Sequence, residues 1–179
     1  MITILKEKFT EKSLIGVRTI HQEWDEVIIG FIQTMDGSNL VIDEIDEFGA
    51  SLGETTIDIS EILSVEFEDQ YQKKLKAIVD SSVNFKADQQ VTIWKKSIDL
   101  QAVMEELIKE GKITTLFFDE DFFVTGKITE LNKKWLVMNN ISVAGEDDGF
   151  SIHSIDKLIG LRYNGKGELK IKFLFENNK

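Results

Sequence analysis

The chain has neither cysteine nor proline among its 179 residues. Without cysteine there is no disulfide framework, no thiolate nucleophile and no cysteine-bound zinc, and nothing calls for an oxidising compartment. Without proline, turns fall to glycine, asparagine and aspartate, and no stiff extended linker can form. Long apolar runs are missing too. The opening stretch Met1 to Lys8 has too short an apolar run for a secretory leader, and no segment approaches the roughly 18 residues of a membrane span. These absences place the protein in the cytoplasm, away from membranes. Only two histidines occur, His21 and His153, and neither belongs to a spaced set of ligands. The acidic run Glu146-Asp147-Asp148 lacks the alternating oxygen ligands of a calcium loop. No metal site and no cofactor is expected. There is no Ser-His-Asp ordering and no glycine-rich phosphate loop, since Gly165-Lys166-Gly167 reads as a turn. The expectation is a protein that is not an enzyme.

What is present fits a folded chain: 42% hydrophobic and 30% charged residues lie well away from the composition of disorder. The net charge of -11 is unevenly spread. Residues 16–68 hold 13 acids and one base, residues 112–164 hold 8 acids and 6 bases, and residues 69–111 cancel to zero. The acidity therefore belongs to the first half of the chain.

The two halves resemble one another. Residues 16–68 laid over 112–164, an offset of 96 without a gap, give 10 identities in 53 positions. They are Thr19/Thr115, Asp25/Asp121, Gly30/Gly126, Ile32/Ile128, Leu40/Leu136, Val41/Val137, Ile45/Ile141, Gly49/Gly145, Gly53/Gly149 and Ile59/Ile155. A repeat of this length points to two similar modules, each near the lower size limit for a self-sufficient core. The expected domains are 1–80, a strongly acidic module, and 98–179, a second module, joined by a connector over 81–97.

Within each copy the β-branched and aromatic runs Val27 to Ile32 and Phe122 to Ile128 predict strands, each with a mid-strand glycine that permits bending. Second strands follow at Asn39 to Ile42 and Trp135 to Met138. Gly49, Gly53 and Asp148-Gly149 mark a further hairpin connection, and Ile57 to Ile62 and Ile152 to Leu158 each read as strand, tight turn and strand. Leu169 to Phe175 alternates like a final strand, while 69–80 is open between strand and helix. A helix is expected over Ile98 to Lys109, stopped by Gly111, and a weaker one over Lys6 to Leu14. The fold class is mainly β with some helix: two duplicated five-stranded barrels, each preceded by a helix.

The segment from Gly30 through Phe31, Asp36, Gly37 and Asn39 to Ile42 resembles the first motif of the Sm-like fold, and the outline is also that of SH3-like barrels. The resemblance implies ring assembly and RNA binding, with Asn39 where the family keeps an RNA-contacting asparagine. Trp135 replaces it in the second copy, and no Arg-Gly pair stands near 57–62 or 152–158. Nucleic acid is disfavoured on physical grounds as well, because a module of charge -12 over residues 16–68 repels a polyanion. Lys73, Lys74, Lys76, Lys95 and Lys96 read as solvated surface.

The favoured partner is a basic protein. Electrostatic complementarity accelerates encounter and fixes orientation, as suits an inhibitor that must catch its target quickly. In composition the chain is similar to acidic immunity proteins and antitoxins that neutralise basic nuclease toxins. On that reading Glu23, Asp25, Glu26, Asp43, Glu44, Asp46, Glu47 and Glu54 supply the charge, and Trp24, within Glu23-Trp24-Asp25-Glu26, is the aromatic anchor. The other aromatic residues, Trp94, Trp135, Phe117, Phe118, Phe122 and Phe123, are expected to be mostly core. Oligomeric state is left open.

Overall fold

The computed structural model describes residues 1–21, 23, 26–86, 88–95, 100–119 and 121–177. The chain divides into two compact units, Met1–Val83 and Asn84–Lys179, so the stretch 81–97 expected as a connector is shared between them. No helix among the described residues is long and apolar enough to cross a membrane.

The first unit runs α1 (Ile2–Glu11), β1 (Leu14–Thr19), β2 (Ile28–Met35), β3 (Asn39–Ile45), β4 (Ser51–Asp58), a 3-10 turn (Ile59–Glu61), β5 (Ile62–Phe67) and α2 (Gln70–Ser81). Its antiparallel sheet has the order β4-β3-β2-β1-β5. The second unit begins with β6 (Val91–Trp94) and continues with α3 (Leu100–Glu110), β7 (Ile113–Phe117), β8 (Phe123–Leu131), β9 (Trp135–Ile141) and β10 (Asp147–Ser154). A 3-10 turn (Ile155–Lys157), β11 (Gly160–Tyr163) and α4 (Lys166–Asn177) complete it. Its sheet order is β10-β9-β8-β7-β11-β6. Among the described residues the strands form two open sheets of five and six, and neither closes into the barrel expected from the sequence.

Each central strand is buried on both faces, because helices lie on both. Leu14-Ile15-Gly16-Val17 of β1 is buried without a break. Ile15 and Val17 meet Leu5 of α1 with Leu40, Ile42, Ile57 and Ile62, while Leu14 meets Ile45 and Leu75 of α2. In the second unit Leu116 joins Met104 and Leu107 of α3 with Leu136, Met138 and Leu161, while Ile113 joins Ile141 and Ile171 of α4. A strand covered on both faces reads as a continuous apolar run rather than an alternation.

Strand register corrects the gapless alignment. Gly30 faces Ile15 and Gly126 faces Thr114. Gly30 and Gly126 are 96 apart, but Ile15 and Thr114 are 99 apart. The link between β1 and β2, residues 20–27, is three residues longer than that between β7 and β8, residues 118–122. Everything before it is therefore offset by 99, so Leu5 corresponds to Met104, and everything after it by 96, so Leu40 corresponds to Leu136. The identity Thr19/Thr115 is coincidental.

Two further expectations change. Residues 169–175 form α4, not a strand: their apolar residues satisfy both an alternation and the spacing of Ile171, Leu174 and Phe175, and the run Glu168-Leu169-Lys170 favours helix. Residues 70–81 form the matching α2, started by Asp69, whose carboxylate accepts the Gln72 amide at 2.7 Å. Gly53 and Gly149 lie inside β4 and β10, where the ladders shift register, rather than in the connecting turns.

Both first turns of α2 and α4 point a polar side chain into the interior at equivalent places. Gln72 donates through Nε2 to the Glu66 carbonyl at 3.1 Å. Glu168, 2% exposed, accepts through Oε1 from the Thr115 hydroxyl and from Arg162 Nε at 2.9 Å. These bonds tie each helix to its sheet. A buried ion pair broken on one side leaves an uncompensated charge.

The mid-strand glycines admit no side chain. A Cβ at Gly30 would overlap the Asp43 carbonyl oxygen, and one at Gly126 the Asn139 carbonyl oxygen. Gly126→Ala is accordingly expected to destabilise the second unit by about 3 kcal/mol. Gly37→Ala, which meets nothing within 4 Å, is expected to be neutral, and urea unfolding of both variants checks the contrast.

Candidate partner-binding surface

The acidic residues singled out from the sequence fall into two groups. Asp43 on β3 faces Glu54 on β4 directly across the ladder. Asn39, Val41 and Asp43 share one face of the sheet with Asp58, Thr56 and Glu54, the residues opposite them. Like charges placed directly opposite destabilise a sheet. The Ser51 hydroxyl donates to Asp43 and relieves part of the repulsion.

The second group borders a shallow depression of about 620 Å³ lined by Glu26, Val27, Ile28, Ile29, Glu44, Ile45 and Tyr71. Thr55 Oγ1 donates to Glu44 at 3.3 Å. Burial first, and then the charges of Glu47, Asp46 and Asp69, hold the Tyr71 phenol above its ordinary pKa. The phenol stays protonated and keeps a donor at the rim of an acidic hollow. Asp46 is tied into the β3–β4 turn, where its carboxylate accepts the amides of Phe48 and Ala50 at 2.9 and 2.8 Å. It shapes the turn rather than standing free for a partner. Glu23 is exposed, whereas Trp24 and Asp25 lie outside the described residues.

Asp43, Glu44, Asp46, Glu47 and Glu54 correspond in the second unit to Asn139, Asn140, Ser142, Val143 and Phe150. The same strands form with no charge at any of these positions. The second unit keeps one carboxylate here, Asp147, which accepts the Asn139 side-chain amide at 2.9 Å, and is otherwise largely apolar on this face. Trp135, Val137, Phe150 and Ile152 share a face across β9 and β10, with Trp135, Phe150 and Ile152 exposed by 37, 70 and 72%.

The expectation that the aromatic residues are mostly core therefore fails. Trp94, Phe122, Phe123 and Trp135 are all exposed. The main core clusters are built from Leu, Ile, Val and Met, with Phe118 and Tyr163 half-buried against that of the second unit, and Phe85 is a buried ring. The sequence signal that finds them is comparison between copies, since Trp135 and Phe150 stand where the first unit has Asn39 and Glu54.

The histidines do not form a site. His21 Nε2 lies 3.0 Å from Glu61 at the surface. His153 stacks on Phe118, with ring centroids 4.9 Å apart, and its Nε2 is 2.6 Å from the Ser151 hydroxyl. Among the described residues no three His, Asp or Glu side chains are grouped so as to hold a metal ion.

Comparison of the chain with protein-family models, with curated proteins and with solved structures yields no match.

Two expected outcomes follow from this geometry. Glu54→Gln removes the opposed charge without touching the Ser51–Asp43 bond and should raise stability by about 0.5 kcal/mol, a gain that shrinks in roughly 1 M salt. Chemical denaturation at two salt concentrations reads it directly. Burial lowers the His153 pKa below its ordinary 6.5, so the folded protein binds fewer protons at this ring than the unfolded chain. The stability His153 contributes is present above 6.5 and is lost as the pH falls below it. The drop in unfolding free energy between about pH 7 and about pH 5 should therefore be smaller in His153→Gln than in the parent.

Proposed function

We propose that the protein is a non-enzymatic binding protein whose first unit docks a basic partner. The reading is that of an acidic immunity or antitoxin protein acting on a basic toxin such as a nuclease. The observation that carries it is the placement of the acids at positions that the same fold leaves neutral elsewhere. Asn139, Asn140 and Phe150 serve in the second unit where Asp43, Glu44 and Glu54 stand in the first. Charge kept at a cost to the sheet, where folding does not require it, is charge kept for a partner. Glu26, Glu44 and Tyr71 around the depression extend the acidic surface.

The strand order, the 3-10 turn before the last strand and the leading helix of each unit support the finer reading of two Sm-like or SH3-like modules. One observation favours a second function, RNA binding through the second unit. Trp135 is exposed beside Lys133 and Lys134, and an aromatic face flanked by cations is what stacks and steers single-stranded nucleic acid.

The test is affinity capture on the intact protein with a salt-gradient elution. It is compared with the quadruple variant Asp43→Asn, Glu44→Gln, Glu47→Gln and Glu54→Gln, which leaves the turn-forming Asp46 in place. A basic protein retained by the parent, eluted by salt, and bound at least roughly tenfold more weakly by the variant is the expected result. RNA retained equally by both forms and lost in Trp135→Ala would refute the acidic docking and support the second reading.

A further inference from the structure

The two units differ at one edge of their sheets. In the second unit β11 pairs on one side with β7 and on the other with β6, so that Gly160, Leu161, Arg162 and Tyr163 face Trp94, Ile93, Thr92 and Val91. Ile93 packs against the core cluster that includes Leu100 of α3 and Leu161. The corresponding strand of the first unit, β5, pairs among the described residues with β1 alone. Beside it lies a groove of about 220 Å³ lined by Met1, Ile4, Val65 and Phe67. Met1 and Ile4 correspond to Leu100 and Val103, and Val65 and Phe67 to Leu161 and Tyr163. The groove is the place that β6 occupies in the second unit.

We infer that the outer edge of β5 and this groove bind an extended segment of another protein, added antiparallel as a sixth strand. The geometry specifies its sequence: apolar, basic, apolar, small. The two apolar residues, matching Val91 and Ile93, fall opposite Phe67 and Val65, over the groove. The basic residue matches Thr92 and falls opposite Glu66, which stands where the second unit has Arg162. Arg18 Nε donates to Oε1 of Glu66 at 2.8 Å, which leaves the other oxygen for a cation on the incoming strand. The small residue matches Trp94. In the second unit that ring lies over Gly160, where a Cβ would come within 2.5 Å of it, and the first unit has Ser64 at this place. A strand with the sequence of β6 itself is therefore excluded from β5 by shape, and its neutral Thr92 would leave Glu66 without a cationic partner on the added strand. Main-chain bonds supply affinity in such an added strand, and the alternate side-chain pockets supply specificity. Open strand edges invite this pairing.

The inference is independent of the acidic docking surface, and the test separates the two. A fluorescein-labelled peptide of residues 88–96 is titrated against the intact chain beside a second peptide carrying Thr92→Lys and Trp94→Val. The protein's own β6 already pairs with β11, and because β4, β6 and β10 also end their sheets, binding is assigned to β5 by exchange protection and by its loss in the groove variant. The substituted peptide should bind saturably and at least roughly tenfold more tightly than the first. It should protect amides within 62–67 from exchange, and it should bind the quadruple acidic variant as well as the parent. Ile4→Glu, at a side chain 43% exposed, should weaken it at least roughly tenfold while leaving the far-ultraviolet spectrum unchanged. The proposal is overturned if neither peptide saturates, if a peptide N-methylated at alternate residues binds equally well, or if Ile4→Glu has no effect. It is overturned equally if the chain alone sediments as a dimer that Ile4→Glu makes monomeric, since a second copy would then be the occupant.

Discussion

The approach of β3 to β2 at a single glycine in each unit sets the rest of the architecture. The space where a side chain would stand is filled at Gly30 by the carbonyl of Asp43 and at Gly126 by that of Asn139. Backbone this close to backbone bends the sheet, and the β2–β3 and β8–β9 registers shift just beyond, between Ile32 and Thr34 and between Ile128 and Glu130. Leu40 and Ile42 thereby join the cluster that contains Leu5 of α1, and Leu136 and Met138 join the one that contains Met104 of α3. The outward residues next to the contact, Asp43 and Asn139, are left on a face that packing does not constrain.

That division explains how one frame carries two surfaces. Positions beneath the helices stay apolar in both units, as at Leu40 and Leu136 or Ile45 and Ile141, because a cavity or a buried charge there costs several kcal/mol. Positions on the outer face of β3–β4 and β9–β10 have diverged from acidic to amide and aromatic. The polar anchors of the C-terminal helices have diverged in a coordinated way. Gln72 reaches a backbone carbonyl near Gly16, while Glu168 uses Thr115 and Arg162, residues that replace Gly16 and Glu66. The second unit needs a hydroxyl and a guanidinium to hold a carboxylate that the first does not possess.

The paired modules and the position of most strands were legible in the sequence, because glycines and branched apolar residues recur at a fixed spacing. The three-residue difference in the β1–β2 link was not, since the chance identity Thr19/Thr115 masked it and only the ladder from Gly30 to Ile15 and from Gly126 to Thr114 reveals it. The helix over 166–177 was hidden because its apolar residues fit both periods. Of the acidic residues, the sequence named the set without its arrangement. Asp43 and Glu54 are eleven residues apart in the chain and adjacent only across a ladder, while Asp46 is engaged by backbone amides that no local pattern announces.

By itself the sequence determined the duplication, the concentration of negative charge in the first half and the exclusion of thiol and disulfide chemistry, since these follow from composition and from spacing along the chain. Tertiary structure decided which acids face one another, which aromatic rings remain outside, and that one sheet edge is covered in the second unit and, among the described residues, open in the first. Those are properties of strand register and edge pairing, contacts between residues distant in sequence, and no local propensity encodes them.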